Sequence, residues 1–204
     1  MDKIHDLSFG GERPLFGAHD VCLENITITD GESGIKCCHD IECHDSKFFG
    51  KYPWWHVDRS LITSCYFAPN SRSAIWYCKN VEVHHAKITT KDSFWECENV
   101  TVYDSELNGE YLAWHSRNIK FVRCHISGEQ PLCYMDNVTL VDCTFDPACD
   151  RAFEDCTHID ADIRGAITNI KNPVSGRIVA DEIGSVTYNE FAKGHDCIIE
   201  KRHA

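Results

Sequence analysis

A nine-residue motif returns along the chain every 19 to 21 residues, and this repeat limits the possible folds more than any other feature. An asparagine precedes an apolar anchor residue, and further apolar residues follow two and seven positions after the anchor. The clearest copies begin at Asn80, Asn99, Asn118 and Asn137. Apolar alternation over so short a segment is typical of a β-strand, and a fixed period is typical of stacked repeats. The anchors are Val21, Ile41, Ser60, Val81, Val100, Ile119, Val138, Ile159 and Ile178.

The repeat predicts an all-β chain, a single-stranded right-handed parallel β-helix (solenoid) of about nine coils with 19–21 residues per coil. A leucine-rich repeat would need a leucine-dominated consensus, whereas the apolar positions here mix Val, Ile, Phe, Cys and Trp. The hexapeptide period of left-handed β-helices is missing as well. We expect one domain over residues 1–204, with residues 1–8 as a candidate N-terminal cap and 187–204 as a candidate C-terminal cap, since open solenoid edges need covering.

Stacking converts each repeat position into a column along the solenoid. The position before the anchor predicts an asparagine ladder, because Asn tolerates bends and its amides can bond from coil to coil. The position ten before the anchor is rich in glycine, which predicts a turn with positive φ. The position nine before it is always charged, and its members are Glu12, Glu32, Lys51, Arg72, Lys91, Glu110, Glu129 and Asp150.

Four of the five tryptophans share one column, five residues before the anchor: Trp55, Trp76, Trp95 and Trp114. The column before it is apolar throughout, so alternation places the tryptophans outward. The column two residues after the tryptophans, which includes Cys78 and Cys97, also has a buried character. Both assignments can hold only if the chain bends between the two columns.

Composition argues against some classes of function. The net charge of −12 argues against nucleic-acid binding. No apolar stretch is long enough to cross a membrane, and no signal peptide is predicted, so we expect no membrane partner and a cytoplasmic location. The thirteen cysteines lack zinc-finger spacings and mostly occupy repeat positions. We interpret them as small core residues in a reducing compartment, and we predict no metal site and no cofactor.

Several short segments together resemble a bacterial family known as domain of unknown function 3737. They are residues 9–16, 31–36, 51–55, 75–77, 94–100, 109–114 and 171–176. The resemblance covers nearly the whole chain and implies a pectate-lyase-like right-handed parallel β-helix. It implies no established activity and no catalytic residues.

Three hypotheses for function stay open. In the first, the chain is a non-catalytic binding or interaction module, for a carbohydrate or another planar or acidic ligand, and its binding residues are Trp55, Trp76, Trp95, Trp114, Lys51, Arg72 and Lys91. In the second, it is a polysaccharide hydrolase or lyase, whose weak catalytic candidates are Glu110, Glu129, Lys91 and His115. In the third, the aromatic column only holds coils together and the chain is a scaffold. A homodimer through a solenoid end or through the tryptophan face is a further hypothesis.

Overall fold

The computed structural model describes residues 1–203, which form 21 β-strands and no helix. None of these residues therefore forms a helix long and apolar enough to cross a membrane. The strands are β1 Asp2–His5, β2 Ser8–Phe9, β3 His19–Glu24, β4 Thr27–Ile28, β5 Ile35–Lys36, β6 His39–His44, β7 Lys47–Phe48, β8 Trp54–Trp55, β9 Asp58–Thr63, β10 Tyr66–Phe67, β11 Ile75–Trp76, β12 Lys79–His84, β13 Lys87–Ile88, β14 Glu98–Tyr103, β15 Glu106–Asn108, β16 Arg117–Val122, β17 His125–Ser127, β18 Asp136–Phe145, β19 Thr157–Lys171, β20 Ser175–Thr187 and β21 Asp196–Lys201.

The strands pair in parallel from rung to rung, which confirms the predicted parallel β-helix. The strands β1, β3, β6, β9, β12, β14, β16, β18, β19, β20 and β21 stack in this order, and each opens one rung of the solenoid. We number these rungs 1 to 11. Rungs 2 to 9 agree with the anchor columns; Val81 pairs with Val100, for example, and Ile119 with Val138.

The structure has eleven rungs rather than about nine, because the segments expected to cap the solenoid contribute strands of their own. Asp2–His5 pairs in register with β3, and Asp196–Lys201 pairs with β20. Both strands lack the asparagine-led motif. The last anchor was also misplaced, since Ile178 pairs with Ala161 and Gly176 lies opposite Ile159. The chain between these two rungs is two residues shorter than the repeat predicted.

Rungs 1 to 9 turn at residues held in the left-handed backbone conformation. The residue before the anchor is one such corner, with φ between 52° and 58° from Asp20 to Asn137. Asn and Asp tolerate this conformation better than most residues with a side chain. The predicted ladder is present at this corner, because Asn118 donates its amide to Asn99 at 3.0 Å and Asn137 donates to Asn118 at 2.8 Å.

Glycine at the turn column is required by close contacts as well as by φ. Gly31 has a φ of 81°, and a Cβ there would lie 1.9 Å from the carbonyl oxygen of Gly11. Gly109 has no positive φ, but its Cβ would lie 2.1 Å from the carbonyl oxygen of Thr90. Positive φ was thus predicted too broadly for this column, and close approach between rungs is the second reason for glycine.

Most of the cysteines occupy inner positions of the rungs, many of them at corners. Ten of the thirteen are buried, and all are free thiols. Cys97 donates its thiol to the carbonyl of Trp95 at 3.5 Å, and Cys124 bonds in the same way to Val122 at 3.5 Å. Ser105 makes the same contact to Tyr103 at 2.7 Å. Cys and Ser therefore serve alike as small donors that satisfy a carbonyl beside a left-handed bend.

Candidate functional site

The four aligned tryptophans lie on the outside of rungs 3 to 6. We call Trp55, Trp76, Trp95 and Trp114 the aromatic ribbon; all four are half-buried. The residue that follows each of them is left-handed, with a φ between 52° and 56°. This bend returns the chain to the core, so the ribbon can face outward while the cysteine column behind it is buried. The bend resolves the conflict that simple alternation left.

The indole rings of the ribbon stack on one another along the solenoid. The ring centroids of Trp55 and Trp76 are 4.9 Å apart, those of Trp76 and Trp95 5.7 Å, and those of Trp95 and Trp114 4.9 Å. The interplanar angles are 17°, 39° and 24° in the same order. The ring faces are therefore turned toward neighbouring tryptophans, and a ligand reaches the ring edges rather than the faces.

The side-chain surface of the ribbon is hydrocarbon. The Nε1 atom of each of its four tryptophans is buried and has no hydrogen-bond partner within the described chain. This nitrogen is the only polar atom of a tryptophan side chain. The part of each indole that meets solvent therefore consists of C–H groups, repeated at four successive rungs.

A lysine stands at each end of this aromatic stack. Lys36 Nζ lies 3.4 Å from the ring centroid of Trp55, a cation–π contact from the rung before. At the other end the Tyr134 ring lies 6.1 Å from that of Trp114, and Lys193 Nζ lies 5.3 Å from the Tyr134 ring. Both ends of the stack are therefore covered by a cation, and the open part of the ribbon is its side.

A polar column borders the ribbon and consists of His56, Tyr77, Glu96, His115 and Tyr134. The rings of His56 and Tyr77 stack at 5.1 Å, and those of His115 and Tyr134 at 5.2 Å. Between these two pairs lies the exposed side chain of Glu96. A surface depression of about 330 Å³ opens here, lined by Tyr77, Lys79, Glu96, Cys97, Glu98, His115 and Arg117.

This depression also carries an ion-pair cluster. Glu98 lies 2.9 Å from Arg117 and 3.2 Å from Lys79. The hydrogen bond from Arg117, followed by that from Lys79, lowers the pKa of Glu98. Beside the hydrocarbon ribbon, the depression therefore presents both a carboxylate and cationic groups that can form hydrogen bonds.

The basic residues predicted to bind an acidic ligand lie in the charged column, and two of the three are already paired. Arg72 Nε lies 3.3 Å from the carboxylate of Asp92, whose side chain is 3% exposed. Lys91 Nζ lies 3.2 Å from Glu110. Lys51 is exposed at the start of this run. Of the three bases, Arg72 and Lys91 are therefore neutralised by carboxylates of the next rung, and the column offers little free positive charge to a ligand.

The weak catalytic candidates are divided between separate ion pairs and the polar column. The hydrogen bond from Lys91 lowers the pKa of Glu110, so this carboxylate is ionised at neutral pH. A glycosidase acid needs the opposite shift. Glu129 is bonded to Arg151. His115 stacks between Trp114 and Tyr134.

The structure also brings together three residues that the sequence analysis did not single out. Cys22, Glu42 and His44 come from the outer faces of β3 and β6, and their ligand-type atoms all lie within 4.8 Å of one another. They stand one or three residues after successive anchors. The sequence signal for this cluster lies in the outward positions of successive long strands.

Comparison with known proteins identifies a family. The family model described as "Protein of unknown function (DUF3737)" matches residues 2–80 and 77–200. No curated protein matches the chain, and no solved structure matches it.

Proposed function

This chain belongs to the DUF3737 family of proteins of unknown function, and we propose that it is a non-catalytic binding module for a neutral carbohydrate chain. The supporting observation is the aromatic ribbon, a continuous hydrocarbon strip on the outside of four rungs. Aligned apolar surface of this kind is typical of a place where a protein meets a partner.

The chemistry beside the ribbon favours a carbohydrate. A sugar chain has apolar C–H faces on its rings and hydroxyl groups along the ring edges. The ribbon matches the apolar faces, while Tyr77, Glu96 and His115 supply hydrogen-bonding groups along one side. An elongated ligand would lie parallel to the solenoid, across the ring edges.

The charges favour a neutral ligand over an acidic one. Arg72 and Lys91 are paired with Asp92 and Glu110, and the whole chain carries a net charge of −12. An acidic polysaccharide would have to displace those pairs against a repulsive field. A neutral polysaccharide neither competes with these ion pairs nor is repelled by the net charge of the protein.

The test is a glycan array of neutral and acidic polysaccharides, probed with the wild type and with two variants. Trp95→Ala with Trp114→Ala removes half of the ribbon, and Glu96→Ala removes the carboxylate of the polar column. The matched control is Glu82→Ala, which removes an exposed carboxylate in β12. We expect both test variants to lose neutral-glycan binding and the control to keep it.

Unchanged binding in a folded Trp95→Ala, Trp114→Ala variant would overturn the proposal. Because these rings stack, circular dichroism must first show that the variant folds. If it does not, Trp95→Phe with Trp114→Phe keeps ring stacking while trimming the exposed edges. That second variant should fold and bind more weakly than the wild type.

A scaffold role is the second candidate, and it is favoured by the stacking of the rings on one another. In that case the ribbon holds the rungs together and binds nothing. Loss of folding in the alanine variant, together with a wild type that binds no glycan, would support it.

We also propose that the chain can self-associate through the ends of the solenoid. The seven exposed large hydrophobic residues lie in rung 1 or at positions 186–198, and they are Met1, Leu7, Phe16, Val186, Tyr188, Phe191 and Ile198. Analytical ultracentrifugation should show a dimer that Phe16→Ser or Phe191→Ser weakens. A dimer weakened only by the ribbon variants would place the contact on the tryptophan face instead.

A further inference from the structure

The outer face of rungs 2 and 3 carries three different metal-ligand types in one place. Cys22 lies in β3, and Glu42 and His44 lie in β6. Cys22 and Glu42 are direct partners in the parallel register. His44 stands two residues after Glu42 and so points to the same face of the strand. All three side chains are half-buried, on strands that are paired on both sides.

The separations suit a single bound ion. The thiol, carboxylate and imidazole ligand atoms lie within 4.8 Å of one another, and His44 Nε2 is 3.6 Å from Glu42 Oε2. Ligand atoms of these kinds around a tetrahedral zinc ion lie about 3.3–3.6 Å apart. Small side-chain rotations therefore bring the three groups to bonding positions without a change in the strands.

We propose that Cys22, Glu42 and His44 form a site for a divalent zinc ion. A thiolate and an imidazole select zinc over magnesium and calcium, which prefer oxygen ligands alone. Zinc takes four ligands, so three protein ligands leave one position for water or an external group. On binding, the zinc–sulfur bond replaces the S–H bond of Cys22, and the proton goes to solvent.

The surroundings leave these three groups available. Lys3 lies opposite Cys22 in the register, but its ammonium is paired with Glu24. The hydroxyl of Ser46 donates a hydrogen bond of 2.7 Å to the carbonyl of His44, which fixes the backbone after the last ligand. Glu42 also lines a surface depression of about 390 Å³ on the side of rungs 4 and 5.

The chain contains a natural comparison two rungs further along. Glu82 and His84 repeat the Glu-x-His spacing in β12, with the imidazole Nε2 2.6 Å from Glu82 Oε1. Leu61 lies opposite Glu82 in the preceding rung, where Cys22 lies opposite Glu42. This second pair supplies a carboxylate oxygen and an imidazole nitrogen, but it has no thiol in the preceding rung.

The experiment titrates zinc chloride into the reduced, chelator-treated full chain and follows heat by calorimetry. We expect one zinc ion per chain in the wild type. Cys22→Ser and His44→Gln should each weaken zinc binding by roughly 10–100-fold or more, since even residues behind the ligands cost about that much in other sites. The matched controls Cys37→Ser and His84→Gln should leave the affinity unchanged.

Cobalt(II) provides a readout specific to the thiolate. The cobalt-loaded wild type should show a sulfur-to-metal charge-transfer band that Cys22→Ser abolishes. A wild type that binds no zinc, or a Cys22→Ser variant that binds zinc and cobalt as the wild type does, would overturn the proposal.

Discussion

Rungs 3 to 8 and rungs 9 to 11 are built on the same parallel ladder but are held together differently. In rungs 3 to 8, stacked aromatic rings and the asparagine ladder join each rung to the next. Exposed ion pairs link rungs in both regions, as Arg117–Glu98 and Arg177–Glu200 show. In rungs 9 to 11, however, the long strands β19 and β20 run for 15 and 13 residues.

The corners explain this difference. Among the described residues after Asn172, only Gly176 has a positive φ, and no residue after Ala180 is buried. Rung 9 keeps left-handed residues at His158 and Gly165 and still buries Ile163. From rung 10 onward such bends are nearly absent, so the chain continues as strand and encloses no filled interior beyond Ala180. Exposed ion pairs contribute little stability. Tight corners, rather than strand pairing alone, therefore give this solenoid its core.

Removing a large side chain from the closed core should destabilise the chain most. Phe121 in rung 7 is fully buried, so Phe121→Ala should lower the free energy of unfolding by about 3–5 kcal/mol. Ile198 in rung 11 is 58% exposed, so Ile198→Ala should change the free energy of unfolding by no more than about 0.5 kcal/mol. Urea unfolding of both variants measures the contrast. Equal losses would show that the last rungs are packed as tightly as the middle ones.

A smaller loss is expected from the aromatic ribbon. Trp95→Ala removes the stacking on both Trp76 and Trp114 and should cost about 2–3 kcal/mol. Trp95→Phe keeps a ring in the stack and should recover about half of that loss. Thermal unfolding followed by circular dichroism measures both. If the alanine variant is as stable as the wild type, the ribbon does not hold the rungs together.

The asparagine ladder should contribute less again. Asn118→Ala removes one donated and one accepted amide hydrogen bond and forces alanine into a φ of 54°, at a cost of about 1–2 kcal/mol. Asn118→Gly loses the same bonds but adopts this φ without strain. Urea unfolding should therefore give the glycine variant a larger free energy of unfolding than the alanine variant. The reverse order would mean that backbone strain at this corner is unimportant.

The smallest effect is a loosening of rungs 9 to 11 in acid. The backbone hydrogen bond from Gly165, followed by the one from Arg202, lowers the pKa of Asp181 below its ordinary value of 3.8. A lowered carboxyl pKa stabilises the folded state above pH 3.8, and that contribution is lost as the pH falls through the folded pKa. Protection from hydrogen exchange should fall in rungs 9 to 11 as the pH falls below 3.8, and Asp181→Asn should remove part of this pH dependence there. Rungs 3 to 8 should respond to acid in both proteins alike, because carboxylates such as Glu98 and Glu110 have lowered pKa values of their own. An Asp181→Asn variant whose rungs 9 to 11 keep the wild-type pH dependence would contradict the prediction.

Much of the fold could be predicted because repeat columns record which side of the rung each residue occupies. The asparagine ladder and the apolar column that contains Trp54 were both placed correctly. The first and last rungs were missed because their strands have no asparagine before the anchor position. The anchor at Ile178 was displaced by two residues because a long strand replaced a corner, which the anchor pattern does not show.

The candidate site was only partly accessible from the sequence. The alignment of the four tryptophans followed from the period alone. That their rings cover each other's faces, and that Arg72 and Lys91 are taken up by Asp92 and Glu110, depends on rotamers and on contacts between rungs. Cys22 and His44 are separated along the chain by a whole repeat and meet only through the register of β3 and β6.

The parallel solenoid, its period and its columns can be predicted from the amino-acid sequence, because each rung repeats the same alternation of buried and exposed positions. Contacts in the folded protein set how many rungs form, where the chain bends outward, and which side chains of neighbouring rungs bond to one another. Strand alternation is a local property of the chain. Left-handed corners, ring stacking and the meeting of Cys22 with Glu42 depend on rungs placed one strand spacing apart.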